Sequence, residues 1–250
     1  MNVVVTGGGT SARIDDVRVI TNLSSGRFAA AISESCLLRG GKVWHVHTPA
    51  AERPLFRHAR MDLETGDPGR EIDRLLRLYR QYCKLRTRLH CVPLRLGTVS
   101  EYARTLKDVI TSRPIDIVFL AMAVSDYEPI PSAGKFRSDV ERMVIECTRT
   151  QKVIQSVRDW APSVYLVGFK LLSRVSTEEL IREAEIAGRV NRADLTVAND
   201  LQTLIAGEHT IHLVRPEAPT ETLGPAPDLA DQLVDRVFRW STRTSPDPPQ

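Results

Sequence analysis

Short apolar runs recur along the chain, and most break abruptly into glycine, serine or acidic residues. NVVVT (2–6), KVWHVHT (42–48), LHCVPLRL (89–96), DIVFLAMAV (116–124), VYLVGFKL (164–171) and ADLTVAND (193–200) have this form. Runs of this length with many β-branched residues predict buried parallel strands. Between them, apolar residues at helical spacing predict helices over 25–39, 71–89, 99–112, 152–162 and 176–192, with a closing helix over 227–240. The first would bury Phe28, Ala31, Ile32, Cys36 and Leu38, the second Ile72, Leu75, Leu76, Leu78 and Tyr79, and Ser100 is the candidate cap of the third. MVIECTRT (143–150) reads as a short strand and HTIHLVR (209–215) as an outer one. The alternation predicts an α/β fold: a doubly wound, mostly parallel, Rossmann-like sheet with helices on both faces. Pro, Gly and mixed charge at 52–70 predict a small flap, with a second excursion at 128–150. One domain over 1–240 is expected, followed by a disordered Pro- and Ser-rich tail, 241–250.

Three segments end such runs in chemistry-bearing residues: 1–27, 119–139, and 165–171 with 195–200. In an open α/β sheet, ligands bind outside the carboxyl ends of the strands. One crevice fed by several strand ends is therefore expected. Gly7-Gly8-Gly9-Thr10 follows the first strand, where glycine lets backbone approach a phosphate. Tight turns use glycine for the same freedom, and the spacing fits neither a dinucleotide fingerprint nor a Walker loop. About 17 polar residues separate these glycines from the first helix. Asn22-Leu23-Ser24-Ser25-Gly26-Arg27 precedes that helix, either as a cap or as an anion site at its positive end. Asp126 follows a buried strand, as a ligand-facing carboxylate or an Asx-turn residue. Lys135 lies in a glycine-containing loop, and Asn199-Asp200 ends a strand where turn duty is the alternative. His45 and His47 share a strand face but have no evident third ligand, so no metal site is assigned.

Composition narrows the function classes. The net charge is only +3 and basic residues are dispersed, so a nucleic-acid partner is not expected. Arg-rich 74–90 reads as a solvated helix face. No apolar run reaches the length that spans a bilayer, so no membrane association is expected. The four cysteines lack metal or redox spacing, and the start lacks a basic signal-peptide region, which together predict a cytoplasmic protein with reduced thiols.

Three motif groups resemble phosphopantothenoylcysteine synthetase, the phosphopantothenate–cysteine ligase of coenzyme A biosynthesis. They are TGGGT…D…VR-ITN-SSGR at 6–27, AMAVSDY at 121–127 with GK at 134–135, and GFK with ADLTVAND across 168–200. RDWAP (158–162) before the GFK strand looks like the single-function, eukaryote-style form, so no flavin is expected. The resemblance implies ligation through an acyl-nucleotide, with Mg²⁺ and CTP or ATP as co-substrate. It implies Gly8, Gly9, Thr10, Ala123, Asp126 and Phe169 at the nucleotide. It implies Ser24, Ser25, Gly26, Arg27 and Asn199 at phosphopantothenate, and Asn22 and Lys135 as the catalytic pair. Bacterial fusion enzymes of the family carry nucleotide-reading lysines where this chain has AEIAGRVNR (184–192), which leaves CTP versus ATP open. A homodimer is implied, with 52–95 as its flap and arm.

Two alternatives stand beside this reading. A nicotinamide-dependent reductase would use a Tyr with Lys four residues on, and none of the five tyrosines has one. A nucleotide-binding sensor would bind without releasing pyrophosphate and would give Lys135 no role.

Overall fold

The computed structural model describes residues 1–136, 139 and 141–242. The expected tail lies outside them from residue 243 onward. Eight strands form one sheet: β1 (Asn2–Gly7), β4 (Lys42–His47), β5 (Leu89–Pro93), β6 (Ile117–Leu120), β9 (Tyr165–Leu172), β10 (Leu195–Asp200), β11 (Ile211–Val214) and β12 (Glu221–Leu223). Their order is β12-β11-β10-β9-β6-β1-β4-β5, parallel from β10 to β5 and antiparallel at β11 and β12. Two hairpins stand outside it, β2 (Ser11–Arg13) with β3 (Val19–Thr21), and β7 (Tyr127–Pro129) with β8 (Cys147–Arg149). The helices are α1 (Arg27–Leu38), α2 (Pro68–Leu85), α3 (Val99–Thr111), α4 (Val153–Trp160), α5 (Thr177–Asn191), α6 (Leu201–Ile205) and α7 (Leu229–Ser241), with a 3₁₀ turn at Phe56–His58.

The central strands are buried on both faces, which is why their sequences run apolar rather than alternate. Val3 and Val5 face Ile32, Leu37, Leu85, Val234 and Val237 of α1, α2 and α7. Val4 and Val118 face Tyr102, Leu106, Val153 and Val157 of α3 and α4. Leu180 and Ala184 place α5 beside Ala198 and Val214. The sheet is doubly wound, as its alternation predicts. Its order turns back at β1, with β4 on one side and β6 on the other, so the crevice of such a sheet opens at the carboxyl ends of β1 and β6. Among the described residues no helix is long and apolar enough to cross a membrane.

Several local expectations are corrected. The polar stretch after the first strand contains the β2–β3 hairpin. Leu38 is 61% exposed, because the inner face of α1 is set by Ala29, Ala30, Ile32, Ser33, Cys36 and Leu37. Ile72, Leu76 and Tyr79 also face outward. The inner line of α2 runs through Glu71, Leu75, Leu78, Tyr82 and Leu85, with buried Glu71 satisfied by Arg74 and the Asp62 N–H. Thr98, not Ser100, caps α3 by accepting the Glu101 N–H.

Candidate active site

Beyond the strand ends, β1 and β6 continue to pair through their loops. Thr10 donates its N–H to the Ala123 carbonyl at 2.9 Å, and Ala123 donates its own to the Gly8 carbonyl at 2.9 Å. The Thr10 side chain is spent on this seam: it is 1% exposed, and its hydroxyl accepts the Ser125 N–H at 2.9 Å. Gly9, at this seam, lines one cavity, and Met122 and Val124, which flank Ala123, line a second.

The first cavity, about 490 Å³, is lined by Gly9, Asn22, Ser24, Ser25 and Thr48. Gly9 is required there by close approach, since a Cβ would sit 2.1 Å from the Asn22 carbonyl oxygen. Gly26, in the left-handed region at φ 72°, turns the chain into α1. That N-terminus has no side-chain cap and no acidic residue in its first turn, whereas α3 and α5 have both. Ser25 is not the cap; its hydroxyl accepts the Arg27 N–H at 3.3 Å. Uncapped N–H groups and the positive end of the helix dipole make such a terminus suited to an anion. The Asn22 side-chain amide and the Ser24 hydroxyl have no hydrogen-bond partner among the described residues. Residues 48–58 run alongside: Glu52 donates its N–H to the Ser25 carbonyl at 2.8 Å and pairs with the exposed Arg27 at 3.3 Å. Glu34 of α1 pins that stretch, accepting from the Leu55 N–H and the Arg57 guanidinium at 2.7 Å each.

His45 and His47 lie on β4 next to this wall. The His45 Nδ1 meets the Ser33 hydroxyl at 2.9 Å, while its Nε2 is buried without a partner. Burial, helped by the neighbouring His47, lowers the His45 pKa to about 3. The ring is neutral and structural at ordinary pH. No group of three or more His, Cys, Asp or Glu suited to a metal ion occurs among the described residues.

The second cavity, about 350 Å³, is bordered by Met122, Val124, Asp126, Ile154, Ile186 and Val190. Asp126 pairs with Lys152 at 2.5 Å, both about half exposed. Sequence reasoning missed Lys152; its only signal was a cation directly before an apolar helical repeat. Phe169 also borders this cavity, but its ring packs edge-on against Phe28 of α1, 6.3 Å between centroids, on the other face of the sheet. Phe28 stacks edge-on with His209 at 4.8 Å, and the His209 Nε2 meets the Asn199 Oδ1 at 2.9 Å. Asn199 is therefore buried beside the half-buried Phe28, Phe169 and His209 rings on the α1 side, and turn duty falls to Asp200, which caps α6. Neither Arg189 nor Arg192 borders the second cavity: Arg189 pairs with Glu185, and Arg192 with Asp159 of α4.

Lys135 is exposed, and its loop is tied to the β2–β3 turn. The Gly134 carbonyl accepts the Asp16 N–H at 3.1 Å, and the Phe136 N–H is donated to the Asp15 carboxylate at 3.0 Å. Asp15 is a second residue missed from the sequence, although it stands in the D…VR part of the first motif.

A family model described as the DNA/pantothenate metabolism flavoprotein C-terminal domain matches residues 1–68 and 87–240. The unmatched stretch is nearly all of α2. A coenzyme A biosynthesis bifunctional protein CoaBC from Thermococcus kodakarensis is 30% identical over 236 residues, 94% of this chain and 50% of that protein. The chain thus spans half the length of that relative. Phosphopantothenate–cysteine ligase 1 of Oryza sativa subsp. japonica is also 30% identical, over 80% of this chain and 68% of its own. A Cab2 mutant solved in complex with phosphopantothenate-cysteine shares the fold, with a TM-score of 0.82 at 21% identity over 97% of this chain and 86% of that one. The chain belongs to the DNA/pantothenate metabolism flavoprotein C-terminal domain family, that of the phosphopantothenoylcysteine synthetases which its motifs resemble.

Proposed function

We propose that this chain joins 4′-phosphopantothenate to L-cysteine through an acyl-nucleotide intermediate, a step of coenzyme A biosynthesis. The observation that carries this reading is the first cavity, where an uncapped helix N-terminus meets the free amide of Asn22, the free hydroxyl of Ser24 and the hydroxyl of Ser25. The substrate's carboxylate attacks the α-phosphate of CTP or ATP and expels pyrophosphate. The cysteine amine then attacks the acyl carbon, loses a proton and releases the nucleoside monophosphate. This chemistry asks for positioning and charge stabilisation, not for a protein nucleophile.

In this reading Ser24, Ser25, Gly26 and Arg27 hold the phosphate of phosphopantothenate at α1. Gly8 and Gly9 present backbone to the nucleotide phosphates, with Thr10 securing the seam behind them. Asn22 hydrogen-bonds the acyl-nucleotide, and Lys135 neutralises charge developing at its phosphorus. Ala123 and Asp126 take the nucleoside at the second cavity. Phe169 and Asn199 shape the α1-side wall. Mg²⁺ supplies charge neutralisation on the triphosphate when it is bound. No group of three or more His, Cys, Asp or Glu suited to a metal ion occurs among the described residues, and Mg²⁺ is commonly held by one or two carboxylates together with substrate phosphates. One ligase domain over 1–240, a homodimer and a cytoplasmic setting complete the reading.

The test is pyrophosphate release by purified protein with Mg²⁺ and 4′-phosphopantothenate, comparing CTP with ATP, with and without cysteine. Release that needs phosphopantothenate, and a coupled product that needs cysteine, are expected. A folded protein that binds nucleotide but releases no pyrophosphate would overturn the reading in favour of a sensor.

A further inference from the structure

Asp15, like Glu34, makes four hydrogen bonds through its carboxylate. Its side chain is fully buried. Oδ1 accepts the N–H groups of Val17 at 2.9 Å and Arg18 at 2.7 Å. Oδ2 accepts the Arg18 guanidinium at 2.5 Å and the Phe136 N–H at 3.0 Å. Two backbone bonds flank this last contact: Asp16 N–H to the Gly134 carbonyl at 3.1 Å, and Ser132 N–H to the Ile14 carbonyl at 3.0 Å. The residues on both sides of Lys135 are therefore fastened to the turn at 14–18, and one of the three fastenings is the Asp15 carboxylate. Burial by itself raises the carboxyl pKa, but the N–H groups of Phe136, Val17 and Arg18 and the Arg18 guanidinium outweigh it and hold it at about 2. Asp15 is thus an anion throughout the neutral range, with all four bonds available.

We infer that Asp15 is the positioning residue of Lys135: it fixes the backbone from which the lysine reaches the crevice, without touching substrate itself. A lysine on a glycine-containing loop has many rotamers and would otherwise lose its aim, and a misplacement of about 1 Å can cost ~10²-fold in rate. This inference rests on the role given to Lys135 in the proposed ligation.

The experiment is a double-mutant cycle with Asp15→Asn and Lys135→Gln in the pyrophosphate-release assay, read together with trypsin cleavage after Lys135 in the substrate-free protein. Asp15→Asn alone is expected to lower kcat ~10- to 100-fold with KM for phosphopantothenate changed less than about threefold. In the Lys135→Gln background it should add less than about twofold, because the residue it aims is already gone. Trypsin should cut Asp15→Asn after Lys135 at least ~10-fold faster than the parent, because opening of the loop governs cleavage. Additive losses in the double variant, or an unchanged cleavage rate, would overturn the inference. Should the parent protein prove inactive as a ligase, the proteolysis arm still decides the fastening. Should Asp15→Asn fail to fold, Phe136→Pro removes only the N–H that reaches Asp15 across to the loop. It leaves the three bonds that close the 15–18 turn; because trypsin does not cut before proline, the loosened fastening is read there as at least ~10-fold faster hydrogen exchange of the Asp16 N–H, which is bonded to the Gly134 carbonyl, and unchanged exchange would overturn the inference.

Discussion

The two cavities on either side of the β1–β6 seam are built on opposite principles. The one at α1 presents backbone, hydroxyls and an amide, and no ion pair joins the residues that line it. The one at α4 carries the Asp126–Lys152 pair beside aliphatic walls from Ile154, Ile186 and Val190. Both helices start without a side-chain cap, so the difference lies in what surrounds the two termini. At α4 the cation Lys152 is itself the N-cap residue, and its partner is a carboxylate of the chain. At α1 no carboxylate of the chain lines the cavity, and a positive helix end of this kind favours an anion. One cavity suits a phosphorylated acid and the other a partly apolar group with a polar edge.

The largest expected effect breaks the α1 side. Asn22→Asp keeps the size of the side chain but sets a negative charge where an anion should bind. A loss of ~10²–10³-fold in kcat is expected, with an unchanged melting curve. Near-normal turnover would remove Asn22 from the site.

Gly9→Ala probes the same wall sterically. Its Cβ meets the Asn22 carbonyl oxygen at 2.1 Å, so the backbone must shift. A stability loss of about 1–3 kcal/mol in urea is expected, together with weaker substrate binding. The α4 side offers no equivalent, because its wall is made of side chains that can repack.

Acid should also separate the regions. Folded His45 titrates near pH 3, against 6.5 when unfolded, so between these values the unfolded chain takes up a proton that the folded one refuses. Stability therefore falls as pH drops through that window, by about 2 kcal/mol from pH 7 to pH 5 from His45 alone. Asp15 has the same sign but a lower window. Its folded pKa of about 2 lies below the ordinary 3.8, so its contribution is complete above pH 3.8 and is lost only as pH falls toward 2. Hydrogen exchange at pH 5 should show the α1–β4 contact loosening while the β2–β3 turn stays protected; equal loosening would contradict the assignment.

The smallest effect belongs to the α4 side. Asp126→Asn should raise KM for the nucleotide ~10-fold if the carboxylate contacts the ligand, since hydrogen bonds to charged groups are worth ~1.5–3 kcal/mol. Its exposed pair with Lys152 contributes only ~0–1 kcal/mol, so stability should hardly move. Unchanged KM with both nucleotides would leave Asp126 a turn residue.

Much of this was legible in the chain. Parallel strands buried on both faces have to be apolar along their length, so Val3–Val5 and Ile117–Leu120 announce themselves, and with them the order of strands and helices. The breaks after those runs, at Gly7–Thr10 and Ala121–Asp126, mark the carboxyl edge and therefore the crevice. Asn22, Ser24 and Ser25 line the first cavity, because they lie directly before the helix that packs on β1. What stayed hidden depends on contacts between distant residues. The β2 and β3 strands are three residues each, too short to show a period. Glu71 reads as a surface residue until Arg74 and the Asp62 N–H satisfy it. Which way the Phe169 ring turns, which cation meets Asp126, and that Asp15 holds the loop of Lys135 across 121 positions are likewise tertiary facts. Hydrophobic periodicity records only whether a residue is buried. The partner of a buried or converging polar group is chosen by the assembled sheet, and the sequence alone does not carry that choice.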